Sequence, residues 1–309
     1  MSVSPYRGRF APTPSGPLHF GSLVAALGSY LDARAQGGEW LLRIEDVDSP
    51  REVAGASASI LRTLAAYGFE WDGAVLYQSQ RRDAYQVALA RLRAAGRVYG
   101  CNCSRKQIAQ QARQGVDGPV YPGTCRGKHL HGAVALRFLV LAGRTVFDDA
   151  LLGRVACDVA SECGDFVLQR ADGVVAYQLA VVVDDADQGI THVVRGADLL
   201  TSTPRQIVLQ HALDYPTPVY KHLPVVLDAQ GYKLSKQTLA TPLGAADPLP
   251  ALRWAGRFLG LPDLDPAPHP RAWLDSAIRL WPRIRPLPIR GSRITPQSLM
   301  PLEVSRAGY

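Results

Sequence analysis

Two short segments hold the side chains best suited to chemistry. Pro12-Thr-Pro-Ser-Gly16-Pro-Leu-His19-Phe20-Gly21-Ser22 lies near the start, and Lys233-Leu-Ser-Lys236-Gln237 lies far downstream. In the first, small residues and one histidine precede an apolar helical run (Leu23, Val24, Ala26, Leu27, Tyr30, Leu31). Gly16 and Gly21 let a backbone approach a phosphate closely, and free N–H groups at a helix N-terminus favour anions. The second segment is a compact loop whose Lys233 and Lys236 can close over the same phosphate. Attack at a phosphate builds negative charge on its oxygens, so a histidine and a mobile lysine are fitting partners. Plainer uses exist for each: His19 as a helix cap, the lysines as solvated charges.

A second group of thiols stands apart. Cys101-Asn-Cys103 and Tyr121-Pro-Gly-Thr-Cys125 place three cysteines in a stretch poor in apolar periodicity. Structural zinc takes four ligands in a tetrahedron and can hold a small subdomain together. The fourth ligand is open on chemistry alone: His129 and His131 are conventional candidates, Tyr121 an unusual one. Cys157 and Cys163 read as structural. Five cysteines with no export signal read as reduced thiols, not a disulfide framework.

The elements that must position these groups follow from periodicity. Arg7–Phe10 reads as a strand, 21–35 as a helix, 40–44 as a buried strand, and 52–67 and 81–95 as helices. Alternation of this kind predicts a parallel sheet with crossover helices. Residues 99–131 break the rhythm and read as an inserted subdomain. The βα pattern resumes with 133–140, 177–183, 191–195 and a helix beginning near Pro204, with Thr203 as its cap. Amphipathic pieces follow at 249–259 and 272–280, and residues 282–301, rich in Pro and Arg, read as irregular.

Composition narrows the classes. A hydrophobic fraction of 47% with 20% charged residues describes an ordinary globular chain long enough for one large core or two. The net charge of +7 suits a polyanionic partner without proving one. The start lacks an apolar signal core, and no stretch approaches the roughly 20 apolar residues of a membrane span. The expectation is a cytoplasmic protein with no membrane partner.

Together the two loop segments resemble the HIGH and KMSKS signatures of class I aminoacyl-tRNA synthetases. Arg9-Phe-Ala-Pro-Thr-Pro-Ser-Gly, Leu42-Arg-Ile-Glu45-Asp46-Val-Asp48 and Ile190-Thr-His-Val-Val-Arg195-Gly-Ala-Asp-Leu-Leu-Thr-Ser-Thr-Pro-Arg-Gln206 resemble the glutamyl-tRNA synthetase catalytic core over most of residues 5–240. The resemblance implies a Rossmann-type α/β catalytic domain (residues 1–98 and 132–240), a zinc-binding insertion (99–131) and a short helical C-terminal region (241–309). It implies His19 and Lys236 as catalytic residues, with Gly16, Gly21 and Lys233 beside them around ATP and its Mg²⁺. Arg9 and Arg195 would meet the carboxylates of L-glutamate, since a guanidinium fork binds a carboxylate bidentately. Glu45 would hold the ammonium, with Ala11, Thr13 and Tyr177 lining the pocket. The bland alternative for Glu45 is a simple pair with Arg43.

Residues 238–309 are too few for the anticodon-reading module of a full glutamyl-tRNA synthetase. The chain therefore resembles a family of truncated paralogues that carry glutamate to queuosine at the wobble position of tRNA-Asp. That family implies Cys101, Cys103, Tyr121 and Cys125 around one Zn²⁺, and glutamate activation without tRNA. A monomer is expected. The alternatives are a truncated synthetase charging tRNA 3′ ends and a catalytically silent tRNA-binding paralogue.

Overall fold

The computed structural model describes residues 5–47, 52–226, 242–244 and 246–283. The first part is built of β1 (Arg7–Phe10), α1 (Phe20–Ala35), β2 (Glu39–Ile44), α2 (Ala56–Ala66), β3 (Leu76–Tyr77) and α3 (Arg82–Ala94). β1, β2 and β3 form a parallel sheet in that order, so each connection must cross over through a helix. The middle holds β4 (Val98–Cys101), α4 (Arg105–Gln111), β5 (Gln114–Gly115), β6 (Gly118–Pro119), β7 (Ala135–Phe138), β8 (Arg144–Asp149), β9 (Gly153–Asp158), α5 (Val159–Glu162) and β10 (Val167–Gln169). Then come α6 (Tyr177–Asp187), β11 (His192–Gly196), α7 (Thr203–Ala212), β12 (Val219–Leu223), α8 (Leu249–Phe258) and α9 (Pro270–Leu280).

β11 pairs with β12 in parallel, and the Thr191 N–H donates to the Arg7 carbonyl at 2.9 Å, which sets β11 beside β1. Helices cover both faces. α1 is apolar round its circumference, with Leu23, Val24, Leu27, Tyr30 and Leu31 all buried, as a helix packed on every side must be. It lies between the sheet and α8 and α9, sharing one core with Trp40, Leu42, Ile60, Leu252 and Trp273. Contact with β12 is close: a Cβ on Gly28 would stand 2.4 Å from Leu223 Cδ1. On the other face a second core joins α3, α6 and α7. Asp32 inside α1 is buried yet satisfied, accepting from the Tyr6 hydroxyl (2.8 Å), Lys221 Nζ (2.5 Å) and Trp281 Nε1 (2.8 Å).

Several expectations change. The helix expected over 52–67 starts at Ala56, because Gly55 takes φ +77° and ends the preceding turn. The strand at 133–140 does not rejoin the parallel sheet. β7 is the centre of an antiparallel sheet ordered β10–β7–β4, and β8 and β9 form an antiparallel hairpin. The βα rhythm returns only with α6, which contains the 177–183 segment, and β11. Thr203 is the first residue of α7 and not its cap, since a 3₁₀ turn (Ala197–Ser202) runs directly into the helix. Its hydroxyl is used elsewhere. Residues 284–309, most of the stretch read as irregular, lie outside the described residues. Among the described residues no helix is long and apolar enough to cross a membrane.

Candidate active site

His19 stands where the loop after β1 enters α1. Its Nδ1 accepts from the Ser22 N–H at 3.4 Å, so it caps the helix and leaves the ring proton on Nε2. Gly16 upstream takes φ +137°, whereas Gly21 is helical, within α1. The first turn of α1 carries no acidic side chain, so its N-terminal dipole is not neutralised locally. Lys233 and Lys236 lie outside the described residues. The described chain stops at Val226, buried in the first core, and resumes at Pro242, bridged to His19; the Leu243 N–H donates to the Leu18 carbonyl at 2.9 Å.

Beside this loop, the ends of β1, β2 and β11 bring three cations together. Arg9 is 4% exposed and is clamped by Asp185 of α6, with Nε–Oδ1 at 3.1 Å and Nη2–Oδ2 at 3.3 Å. Arg43, fully buried, donates to the same carboxylate at 2.7 Å and to Gln188 Oε1 at 2.7 Å. Arg195 donates to Thr203 Oγ1 (2.7 Å), Gln206 Oε1 (2.8 Å), His222 Nε2 (3.3 Å) and the Tyr177 hydroxyl (3.3 Å). Such desolvated guanidinia are expensive to bury, and here fixed acceptors on α6 and α7 offset that cost.

Glu45 follows β2, its N–H donating to the Pro12 carbonyl at 3.0 Å and its carboxylate 3.8 Å from Arg43. The pair with Arg43 thus exists, but it is long, and Arg43 is spent mainly on Asp185. Burial pushes the Glu45 carboxyl up to about 7, against the opposing pull of Arg43 and Arg9. A carboxyl in that condition changes charge near neutral pH, and a further cation beside it would favour its ionised form. Burial also raises the Tyr177 phenol, with Arg195 opposing it and Glu45 adding to it, which places Arg9, Glu45, Tyr177 and Arg195 in one electrostatic environment. Ala11 is half-buried and Thr13 exposed on the loop after β1.

Asp185, Thr203, Gln206, His222 and Asp149 complete the buried hydrogen-bond network around these arginines and were not singled out from the sequence for that role. The available signals were an Asp-Asp pair inside an otherwise apolar helical run and a histidine inside a buried strand; neither says which partner it meets.

In the middle region Cys101, Cys103 and Cys125 bring their sulfurs within 4.8 Å of one another. The Tyr121 hydroxyl sits among them, 3.3 Å from Cys101 Sγ and 3.7 Å from Cys103 Sγ, and accepts from the Cys125 N–H at 2.9 Å. Burial raises the Cys125 thiol, but hydrogen bonds from Tyr121, Asn102 and the other two cysteines bring it down to about 7. His129 and His131 are exposed and line a cavity of about 690 Å³ with Tyr99 and Arg126, outside the thiol group.

A parallel sheet with a histidine-capped first crossover helix and buried cations at its carboxyl edge is the arrangement of a doubly wound α/β domain whose ligand sits at the strand ends. Residues 6–244 match the family of class I tRNA synthetases (E and Q), catalytic domain. Within that class the chain belongs to the glutamyl-Q tRNA(Asp) synthetase family. It is 62% identical over 268 residues to the glutamyl-Q tRNA(Asp) synthetase of Dechloromonas aromatica, covering 84% of this chain and 88% of that one. It is 53% identical over 281 residues to that of Neisseria meningitidis serogroup B, covering 89% and 95%. Among solved structures, a glutamate-tRNA synthetase from Elizabethkingia anophelis superposes with a TM-score of 0.67 at 26% identity. That match covers 90% of this chain and only 62% of the other, so the chain spans less than two thirds of that synthetase.

Proposed function

We propose that this protein activates glutamate with ATP, without tRNA, and transfers the glutamyl group to queuosine at the wobble position of tRNA-Asp. The pocket carries the reading. Arg9, Arg43 and Arg195 bring three positive charges against Asp185 and Glu45. Glutamate, with two carboxylates and one ammonium, has the complementary balance. Arg9 and Arg195 take the carboxylates, Glu45 the ammonium, and the Tyr177 hydroxyl lines the space between, with Ala11 and Thr13 on the loop beside Arg9.

In the first step a carboxylate oxygen of glutamate attacks the α-phosphorus of ATP and pyrophosphate leaves. The amide-rich turn from Gly16 to Gly21 and the Nε2–H of His19 receive the phosphate charge, and Lys233 and Lys236 of the downstream signature neutralise it. Mg²⁺ accompanies the nucleotide. In the second step a hydroxyl of the queuosine cyclopentenediol attacks the adenylate carbonyl, AMP leaves, and an ester forms. Bases in single-stranded loops can be splayed into such a pocket, and the basic balance of the chain favours their backbone.

Three thiols and a phenol at these separations suit tetrahedral zinc, for which Zn–S is about 2.3 Å. Cys101, Cys103, Tyr121 and Cys125 would hold it, and the ion would tie residues 99–131 into a subdomain beside the catalytic domain (1–98 and 132–240), with 241–309 as a helical appendage. The protein acts as a cytoplasmic monomer.

The test is transfer of labelled glutamate to tRNA with and without queuosine, each also trimmed of its 3′-terminal adenosine. Labelling that needs queuosine and survives trimming supports the reading. Labelling lost on trimming points instead to a synthetase charging 3′ ends, and no labelling to a silent tRNA-binding paralogue.

A further inference from the structure

Arg195 is held by four different side chains, and one of them has a chemical requirement. His222 of β12 is fully buried, and its Nδ1 lies 2.6 Å from Asp149 Oδ2 at the end of β8. Asp149 is 4% exposed and also accepts from backbone: its Oδ1 takes the Leu151 and Leu152 N–H groups at 3.0 and 2.8 Å. The His222 backbone N–H reaches both oxygens, at 3.3 and 3.1 Å. An ionised carboxylate only accepts, so Nδ1 of His222 must carry the proton and Nε2 must present a lone pair. Two donors converge on that lone pair, Arg195 Nε–H at 3.3 Å and the Thr203 hydroxyl at 3.0 Å. Thr203 in turn accepts from Arg195 Nη2. Burial lowers the imidazole below its usual range and so keeps it neutral, while Asp149 opposes this; burial raises Asp149, but its hydrogen bonds hold it below the usual carboxylate range.

We propose that Asp149 and His222 are positioning residues for the amino-acid step: Asp149 fixes the His222 tautomer, and the resulting Nε2 acceptor, with Thr203, orients the Arg195 guanidinium toward the substrate carboxylate. The idea rests on the reading of Arg195 as a glutamate-binding residue. A purely architectural role, tying the β8–β9 hairpin to β12, would lower stability without separating glutamate from ATP.

The experiment is glutamate-dependent ATP–pyrophosphate exchange, with KM for glutamate and for ATP measured separately and thermal unfolding alongside. Asp149→Asn is isosteric. Its amide oxygen keeps the Leu151 and Leu152 bonds, which leaves the NH₂ facing Nδ1 and forces the proton onto Nε2, against Arg195. The expected result is a glutamate KM raised about tenfold, since a hydrogen bond to a charged group is worth about 1.5 kcal/mol or more, with the ATP KM unchanged. Thr203→Val, also isosteric, raises the glutamate KM by a smaller factor and decides the matter if the Asp149 variant does not fold. An unchanged glutamate KM in Asp149→Asn and Thr203→Val, with a raised one in Arg195→Ala, overturns the positioning role alone. Glutamate and ATP KM rising together also overturns it. An unchanged KM in Arg195→Ala overturns the pocket reading itself.

Discussion

In the arginine pocket every charge is held by the protein's own rigid elements. Arg9 and Arg43 share Asp185, and Arg195 is fixed from β12 and α7. In the cysteine cluster three thiols and a phenol face one another with only a small apolar shell, Tyr99, Ile108 and Leu130 half-buried around them. The first site is preorganised before any ligand arrives, which suits discrimination between small substrates. The second has a thinner shell of packing, and on the proposed zinc reading an ion would add to its order. One chain thus builds a site whose buried charges are fixed by side chains and another whose thiols and phenol converge with little packing around them.

Removing the shared carboxylate should break the first arrangement most severely. Asp185→Ala leaves Arg9 and Arg43 buried without their anion, and a loss of about 3–5 kcal/mol in unfolding free energy is expected. Urea titration reads it directly. Chelation should do the opposite: metal removal opens residues 102–131 to protease and makes Cys101, Cys103 and Cys125 reactive to a thiol reagent. The two cores, which do not depend on that cluster, stay resistant.

The arginine site is also expected to be pH-sensitive. Below pH 7 the Glu45 carboxyl, held up to about 7 by burial, is protonated in the free protein and cannot meet an ammonium. Glutamate binding must then expel that proton, so the glutamate KM climbs as pH falls below 7, toward about tenfold per unit. Isothermal titration in buffers of different ionisation enthalpy should detect proton release near pH 6.5. A flat profile would remove Glu45 from the ammonium role. The smallest effect is assigned to His129→Ala with His131→Ala, which should leave one zinc per chain by atomic absorption. Loss of the metal would restore a histidine as fourth ligand.

Local pattern made much of the frame legible. α1 and β2 each begin one residue before their expected starts, because an all-round apolar helix and a short buried strand leave little ambiguity. The antiparallel pairing of β7 was hidden, since a four-residue strand such as Ala-Leu-Arg-Phe looks the same beside a parallel or an antiparallel neighbour. Arg9, Glu45 and Arg195 stood out through their surrounding motifs, and the structure places them in one buried environment. Asp149 and His222 were not: their contact spans 73 residues, and a lone histidine in a strand carries no mark of the carboxylate it will meet. Thr203 was misjudged as a cap, as a 3₁₀ turn runs into α7 before it and its hydroxyl is claimed by Arg195 of β11.

The central claim is that this pocket, with the phosphate site at the α1 N-terminus, activates glutamate by itself. ATP–pyrophosphate exchange with glutamate and no tRNA tests it most directly. The account predicts exchange that requires glutamate and falls by roughly a hundredfold or more in Lys236→Ala and His19→Ala, which remove charge stabilisation at the reacting phosphate. Exchange that appears only when tRNA is added, or that survives both substitutions in folded protein, would contradict it.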